Sequence, residues 1–419
     1  MRAVSLALFF VVTITPSLAH ALDRESIEKQ LRAAVQAGDE SAVRAAVAQA
    51  VTALGAKAGK PEVPDTYARP TDPTARLTRK EARQGLRLLH DQLPRKAWWK
   101  IGIDPSKTEH ALREIASALH GFLAASRALE CEHCLIEARK AGDFLLWAQS
   151  EAGSGVLPFP AYRGHSDDNA FRAAKRALDA AEKQGRIQEM VRNGWVYADL
   201  GNGGLQFDNG EAGVALFALF EQTADERYLK GAKAASDWAL SQPLVENWNY
   251  NSFSVYLLAN AYRVTGEQKY LTSAIHKARV GVIPGQLTSG VRAGRWFDPH
   301  NARPAYHYIM LRGLTALLQE IPPTKPQRGE IRDALALGLK SRNCEFESRG
   351  VTSPDKAIEV LLLVHRAFPG ERMLVDSCCD VSLGILEASI AEEARKGKFP
   401  LGPGELGEYL EYRLGSEQP

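Results

Sequence analysis

The sequence predicts an all-α protein built as a ring of helical hairpins with a site at one end. Three observations carry this. First, three segments begin alike, with an aromatic or acidic residue and an Asn leading into a nearly unbroken apolar run. They are Phe207-Asp208-Asn209-Gly210-Glu211, Trp248-Asn249-Tyr250-Asn251 and Trp296-Phe297-Asp298-Pro299-His300-Asn301. Second, a helix that is apolar on every face has to be buried on every face. Third, the polar residues gather at the same end of successive buried helices, as at the mouth of a cavity.

The elements follow in chain order. Arg2 and the apolar run Val4 to Ile14, ending in Ala19-His20-Ala21, form a signal-peptide pattern cleaved after Ala21, over residues 1–21. Residues 22–55 read as a small helical appendage of two short helices, and the Pro-, Lys- and Thr-rich stretch 56–77 reads as a linker. The main domain is expected over 78–419. Capping-box patterns stand at Thr78/Glu81 and Ser106/Glu109, and Ser353-Pro354 offers an N-cap with Pro at the first helical position. Helices are expected near 78–92, 107–127, 129–149, 166–187, 209–223, 226–241, 252–265, 267–281, 302–320, 327–341, 353–367 and 371–397, which pair into six hairpins. In the loop from Trp195 to Asp208, Gly201-Asn202-Gly203-Gly204 suits a turn between two short extended pieces, a β-hairpin at the mouth.

The hairpins repeat. Thr223, Tyr228 and Leu229 fall on Thr265, Tyr270 and Leu271 at an offset of 42, as Asn209 falls on Asn251; an offset of 50 places Asn251 on Asn301. A period of this size also suits an open solenoid. Helices apolar all round, with long loops before them and tight Thr-x-Asp/Glu-x-x-Tyr turns after them, favour a closed ring.

The Asn209–Gln242 and Asn251–Gln286 repeats resemble the (α/α)6 toroid, the six-hairpin fold shared by glycoside hydrolases, polysaccharide lyases and sugar epimerases. The resemblance spans roughly Thr78 to Lys398 and picks out no single family. It implies a carbohydrate-active enzyme.

Composition narrows the classes. The chain of 419 residues has a formal charge of +2, with no basic excess of the kind a general nucleic-acid binder needs. Nothing after the leader is long and apolar enough for stable membrane insertion. Five cysteines are compatible with disulfides in an exported protein, periplasmic or secreted. Cys131-Glu132-His133-Cys134 is a CxxC that reads as a structural bridge, a redox pair or half a metal site. Cys344 is placed to reach Cys378 or Cys379, and the odd count leaves at least one thiol unpaired. No standard metal set and no cofactor motif is present: Asp298, His300 and His307 have no standard ligand spacing, and no Walker or Rossmann pattern occurs.

Candidate site residues come from the mouth loops. Tyr162, Trp195, Trp248 and Trp296 offer flat faces for a sugar ring, with Arg163, Asn249, Arg295, His300 and Arg303 to bond hydroxyls or an acid group. Each ring is equally suited to plugging the top of the core, and Asn209, Asn251 and Asn301 suit helix N-caps. Two chemistries are open. Hydrolysis needs two carboxylates, for which Asp208 and Asp298 are the candidates. β-Elimination of a uronate needs a group that neutralises the substrate acid (Asn251, Arg295 or Arg303) and a proton-transfer group (Tyr250 or His307). The Arg, Asn, His and Tyr content of the later loops favours the lyase. A non-catalytic glycan- or protein-binding envelope protein is the other class of function.

Overall fold

The computed structural model describes residues 18–54, 69–96, 111–165, 169–199, 203–372, 374–375 and 377–415. The leader's charged and apolar regions, most of the expected linker, the Ser106/Glu109 capping box, and Gly201-Asn202 lie outside the described residues.

Six helices stand around a common axis: α4 (Leu112–Leu129), α7 (Leu205–Thr223), α9 (Trp248–Thr265), α11 (Pro304–Glu320), α13 (Pro354–Ala367) and α15 (Pro403–Gly415). Each packs on the next, and α15 returns to pack on α4, so the ring is closed. A second layer covers it. Outer helices α5 (Glu132–Ala152), α8 (Glu226–Ser241), α10 (Gln268–Gly281), α12 (Gln327–Arg349) and α14 (Ser377–Arg395) each pack on the inner helix before them. The sixth outer helix, α3 (Arg79–Lys96), packs on α15. This is an α/α toroid whose last hairpin joins the two ends of the domain.

The sequence dictates which helix goes where. In α11 every residue from His307 to Leu318 is buried, as an apolar helix between neighbours must be. In α8 the buried residues Tyr228, Gly231, Ala232, Ala235, Ser236 and Ala239 form one helical stripe, as suits an outer helix with a wet face. Turns close as their residues require. Thr78 and Glu81 form the expected capping box, with the Thr78 N–H donating to Glu81 at 2.7 Å and the Glu81 N–H donating to Thr78 at 3.2 Å. Ser353 precedes α13 in a left-handed conformation and makes no side-chain cap.

Two expected elements are placed differently. The helix expected at 166–187 is α6 (Asn169–Lys183), and it lies outside the ring. Its buried stripe of Phe171, Ala174, Leu178 and Ala181 serves one face only, and Phe171 packs on Phe159 and Tyr162 in the mouth loop. The sixth inner helix is instead α15, beyond the last helix expected. Its thirteen residues carry a charged, Gly-rich sequence that hides the buried stripe of Leu406, Gly407, Tyr409 and Leu410.

The mouth hairpin also shifts. Strands β1 (Phe159–Pro160), β2 (Val191–Arg192) and β3 (Trp195–Val196) form a sheet in the order β1-β3-β2. The tight turn is Asn193-Gly194, both at positive φ (48° and 79°), the Asn-Gly signal of a two-residue hairpin. At the N-terminus, α1 (Leu18–Ala37) and α2 (Glu40–Leu54) form a hairpin that docks on α10 and the turn after it. Ion pairs between Arg32 and Glu246, Arg44 and Glu330, and Arg279 and Glu40 line that contact.

Ring closure depends on two glycines where α4 crosses α15. A Cβ on Gly121 would stand 2.8 Å from the Pro403 carbonyl oxygen, and one on Gly407 would stand 2.9 Å from the Gly121 Cα. Backbone cannot yield there as a flexible side chain can. Gly407→Val is therefore expected to destabilise the protein by roughly 1–3 kcal/mol, read as a lowered denaturant midpoint. An unchanged midpoint would show that the seam is looser than described.

A charged hollow inside the ring

All six inner helices contribute to a hollow of about 220 Å³ that runs between their N-terminal halves. An apolar wall with charged side chains aimed at the axis has only the other side chains to satisfy them. Arg312, from α11, is the central case. It is 1% exposed. It pairs at 2.7 Å with Glu211, from α7, and also with Glu359, from α13. In the ring order α7 stands opposite α13, so this triad spans the hollow. The guanidinium lies 4.3 Å over the Tyr256 ring and 5.5 Å over Phe253. Burial alone would discharge it, but Glu211 and Glu359 outweigh burial and hold it charged. Burial likewise pushes the Glu211 carboxyl up; Arg312 and Lys356 overcome this and keep it ionised.

A second group of charges lies beside the triad. Lys356, from α13, pairs with Glu405, from α15, and lies 3.6 Å from Glu359. Three further acids have raised pKa values: Asp355 and Glu114 chiefly through loss of water, with Glu405 adding repulsion at both. Glu408 is pushed up to about 7 by burial and by Glu359. His120, also on the wall, is driven toward its neutral form by burial. The hollow thus holds one carboxyl with a lowered pKa, Glu211, beside three with raised values.

The rim has its own cluster. Arg113, at the start of α4, clamps Asp208 through its side chain (3.0 Å from Nε) and its backbone N–H (3.3 Å). Its guanidinium lies 3.7 Å over Phe207, which stacks on Phe253 at 4.2 Å. A ladder of cation, ring, ring and cation therefore runs from Arg113 down to Arg312. Tyr250 stands in the same field: burial raises its pKa, Arg113 opposes this, and Tyr306, Asp208 and Asp199 add to it. His300 stacks on Tyr306 at 4.5 Å and is pushed down to about 4 by burial and by Arg303. Arg303 is exposed.

Of the residues expected at the site, Asp208, Tyr250, His300 and Arg303 belong to this rim. The others hold the fold. Asn251 donates to the carbonyls of Val245 (2.7 Å) and Gly281 (2.8 Å) and accepts the Val245 N–H, tying α9 to α10. Asn209 does the same between Leu157 and Ala235. His307 is buried, with Nε2 3.1 Å from the Gly338 carbonyl, and burial pushes its pKa well down. Asp298 accepts both the backbone and the side-chain N–H of Asn301, and that Asn301 oxygen accepts from Asn249. Asp298 is thus bound into a turn rather than set opposite Asp208.

The tryptophans are plugs. Trp195 is buried among Phe144 and Trp147, and Trp296 donates to the Val282 carbonyl at 2.9 Å. Trp248 and Trp296 close so tightly on Gly285 that a Cβ there would meet each at 2.7 Å. Arg295 pairs with Glu345 at 2.8 Å. Tyr162 donates to the His165 carbonyl, and Arg163 pairs with Glu182 of α6 at 2.6 Å. The residues of the hollow that the sequence reading left out are Arg113, Arg312, Asp355, Lys356, Glu359, Glu405 and Glu408. Their signal is a charge inside an otherwise apolar inner helix, as in Met310-Leu311-Arg312-Gly313-Leu314.

The raised pKa of Glu408 sets a direction. The native state retains a proton that the unfolded chain, with its carboxyl near 4.5, has already released. Stability from this group is greatest below the unfolded value and is lost as pH rises toward about 7. Glu408→Gln should therefore reduce the fall in unfolding free energy over that window. An identical pH profile in the variant would show that Glu408 titrates normally.

No family model matches this chain, and comparison with curated proteins gives no match. Among solved structures it is similar to a polysaccharide lyase, with 12% identity over 80% of this chain and 96% of that one at a TM-score of 0.48. It is also similar to a mutant unsaturated glucuronyl hydrolase from Streptococcus agalactiae, with 12% identity over 86% and 98% at 0.47. A glycosyl hydrolase family 88 structure from Bacteroides vulgatus gives 10% identity over 81% and 98% at 0.48.

Proposed function

We propose that the protein is a carbohydrate-active enzyme that hydrolyses glycosidic bonds in the hollow of the toroid. The observation that carries this reading is a pair of hollow-lining carboxyls on facing helices whose pKa values are shifted in opposite directions by their surroundings. Glycoside hydrolysis requires one carboxylic acid to protonate the leaving oxygen and one carboxylate to act as base or nucleophile. Asp355 has the raised pKa that the acid role needs, and it lines the hollow from the first turn of α13. Glu211, across the ring on α7, is kept ionised by Arg312 and suits the carboxylate role. These two are preferred to the Asp208/Asp298 pair because they line the hollow and Asp208 and Asp298 do not.

A uronate lyase is the second reading, and one observation favours it. Tyr250 lies beside Arg113 at the rim, with the exposed cation Arg303 near His300 to neutralise a substrate acid. Asn251, Arg295 and His307 no longer serve it, being taken up by the fold. The reading includes export, on the leader pattern of residues 1–21. The Cys131–Cys134 bridge and the disulfide-bonded state of Cys344 suit an oxidising compartment, while Cys379 is buried with its sulfur 2.9 Å from the Leu374 carbonyl. No helix among the described residues is long and apolar enough to cross a membrane.

Incubation with a panel of neutral, amino and uronate oligosaccharides separates these readings. Hydrolysis releases reducing ends with no ultraviolet-absorbing unsaturated product. Asp355→Asn should lower that rate by about 10²–10⁴-fold, while Tyr250→Phe should leave it within a few-fold. An unsaturated product abolished by Tyr250→Phe would replace the hydrolase with the lyase. Glycan binding without turnover would make the protein a binding module.

A further inference from the structure

The Cys131-Glu132-His133-Cys134 segment takes no part in the hollow. It opens α5 on the outside of the ring, with Cys131 as the N-cap residue, and its sulfur accepts the Cys134 N–H at 3.2 Å. Facing it from α3 stands His90. A ring nitrogen of His90 and the two sulfurs all lie within 4.8 Å of one another. Asp91 engages His90 at Nδ1 at 3.2 Å, whereas Nε2 is buried with no hydrogen-bond partner among the described residues. A buried imidazole nitrogen left unpaired is costly. A carboxylate on one ring nitrogen is the arrangement that fixes a histidine to ligate through the other. The His133 ring centroid lies 5.5 Å from that of His90.

We propose that Cys131, Cys134 and His90 form a binding site for a zinc-type divalent cation, open only when the disulfide is reduced. A dithiol reductant opens it. One of its thiolates attacks the half-buried Cys131 sulfur and expels Cys134 as a thiolate. The reductant's second thiol then displaces Cys131, leaving a disulfide on the reductant and two thiols on the chain. The cation replaces the two thiol protons, forming two metal–sulfur bonds and releasing two protons. Position at a helix N-terminus and the Cys134 N–H both favour the Cys131 thiolate. Neutral His90 gives the third ligand through Nε2, a Cys₂His set that leaves the fourth position to solvent. Such a clasp would tie α3 to α5 across α4, beside the seam where α3 packs on α15.

The test uses the full chain, reduced with a phosphine, freed of reductant without oxygen and titrated with Co²⁺ and then Zn²⁺. One equivalent of Co²⁺ should give the intense visible bands of tetrahedral thiolate coordination, bleached by Zn²⁺, and the unreduced chain should give none. His90→Ala should weaken binding at least tenfold, and Asp91→Asn should weaken it by less; far-UV circular dichroism confirms that both variants are folded. Reduced protein that shows no such bands overturns the proposal. So does undiminished affinity in folded His90→Ala, or, should that variant unfold, undiminished affinity in Cys131→Ser.

Discussion

A helix without a polar face cannot rest against water on any side, and this constraint orders the whole molecule. The inner helices α7, α9 and α11 are of this kind over most of their length, so each needs neighbours on both flanks and a cover behind. Closing the row on itself meets that need. The seam falls between α4 and α15, where Gly121 and Gly407 let two backbones approach to a distance no side chain would allow. The outer helices need only one apolar stripe, and side-chain amides such as Asn209 and Asn251 fasten their carbonyls to the inner layer.

Enclosure then governs the charges. A cation such as Arg312, removed from water inside the ring, persists only if carboxylates reach it, and the facing helices supply Glu211 and Glu359. More acids than cations face the hollow, however, so Asp355, Glu114 and Glu408 are left without full compensation and hold their protons more tightly. The separation of acid from carboxylate that hydrolysis requires follows from this imbalance in a confined space. The aromatic ladder from Arg113 to Arg312 joins rim and floor in one packed unit.

The ring was legible in the sequence because it rests on periodicity and repetition: the all-apolar runs, the Thr-x-Asp/Glu-x-x-Tyr turns and the 42-residue offset between Asn209 and Asn251. The offset correctly implied a shared role for those two residues, but their side chains point back to the outer layer and not into the mouth. Trp248 and Trp296 look alike on paper whether they stack on a ligand or on Gly285, because burial is a tertiary property. Helix α15 was obscured by its shortness and its charges, and those same charges are what it contributes to the hollow. Arg312, Lys356 and Glu359 carried a usable signal, a lone charge within an apolar helix, but which face each presents is settled only when the ring closes. The Asn193-Gly194 turn is readable from local chemistry alone, and the glycine cluster after Asp199 is a competing turn signal of the same kind.

The central claim is that the hollow between α7 and α13, above Arg312, is where a sugar is bound and processed. A crystal structure of Asp355→Asn with a bound oligosaccharide tests it most directly. The account predicts a glycosidic oxygen between residue 355 and Glu211, with sugar rings extending out past Tyr250. Saccharide found only on the outer surface, with the hollow filled by undisturbed ion pairs, would contradict it.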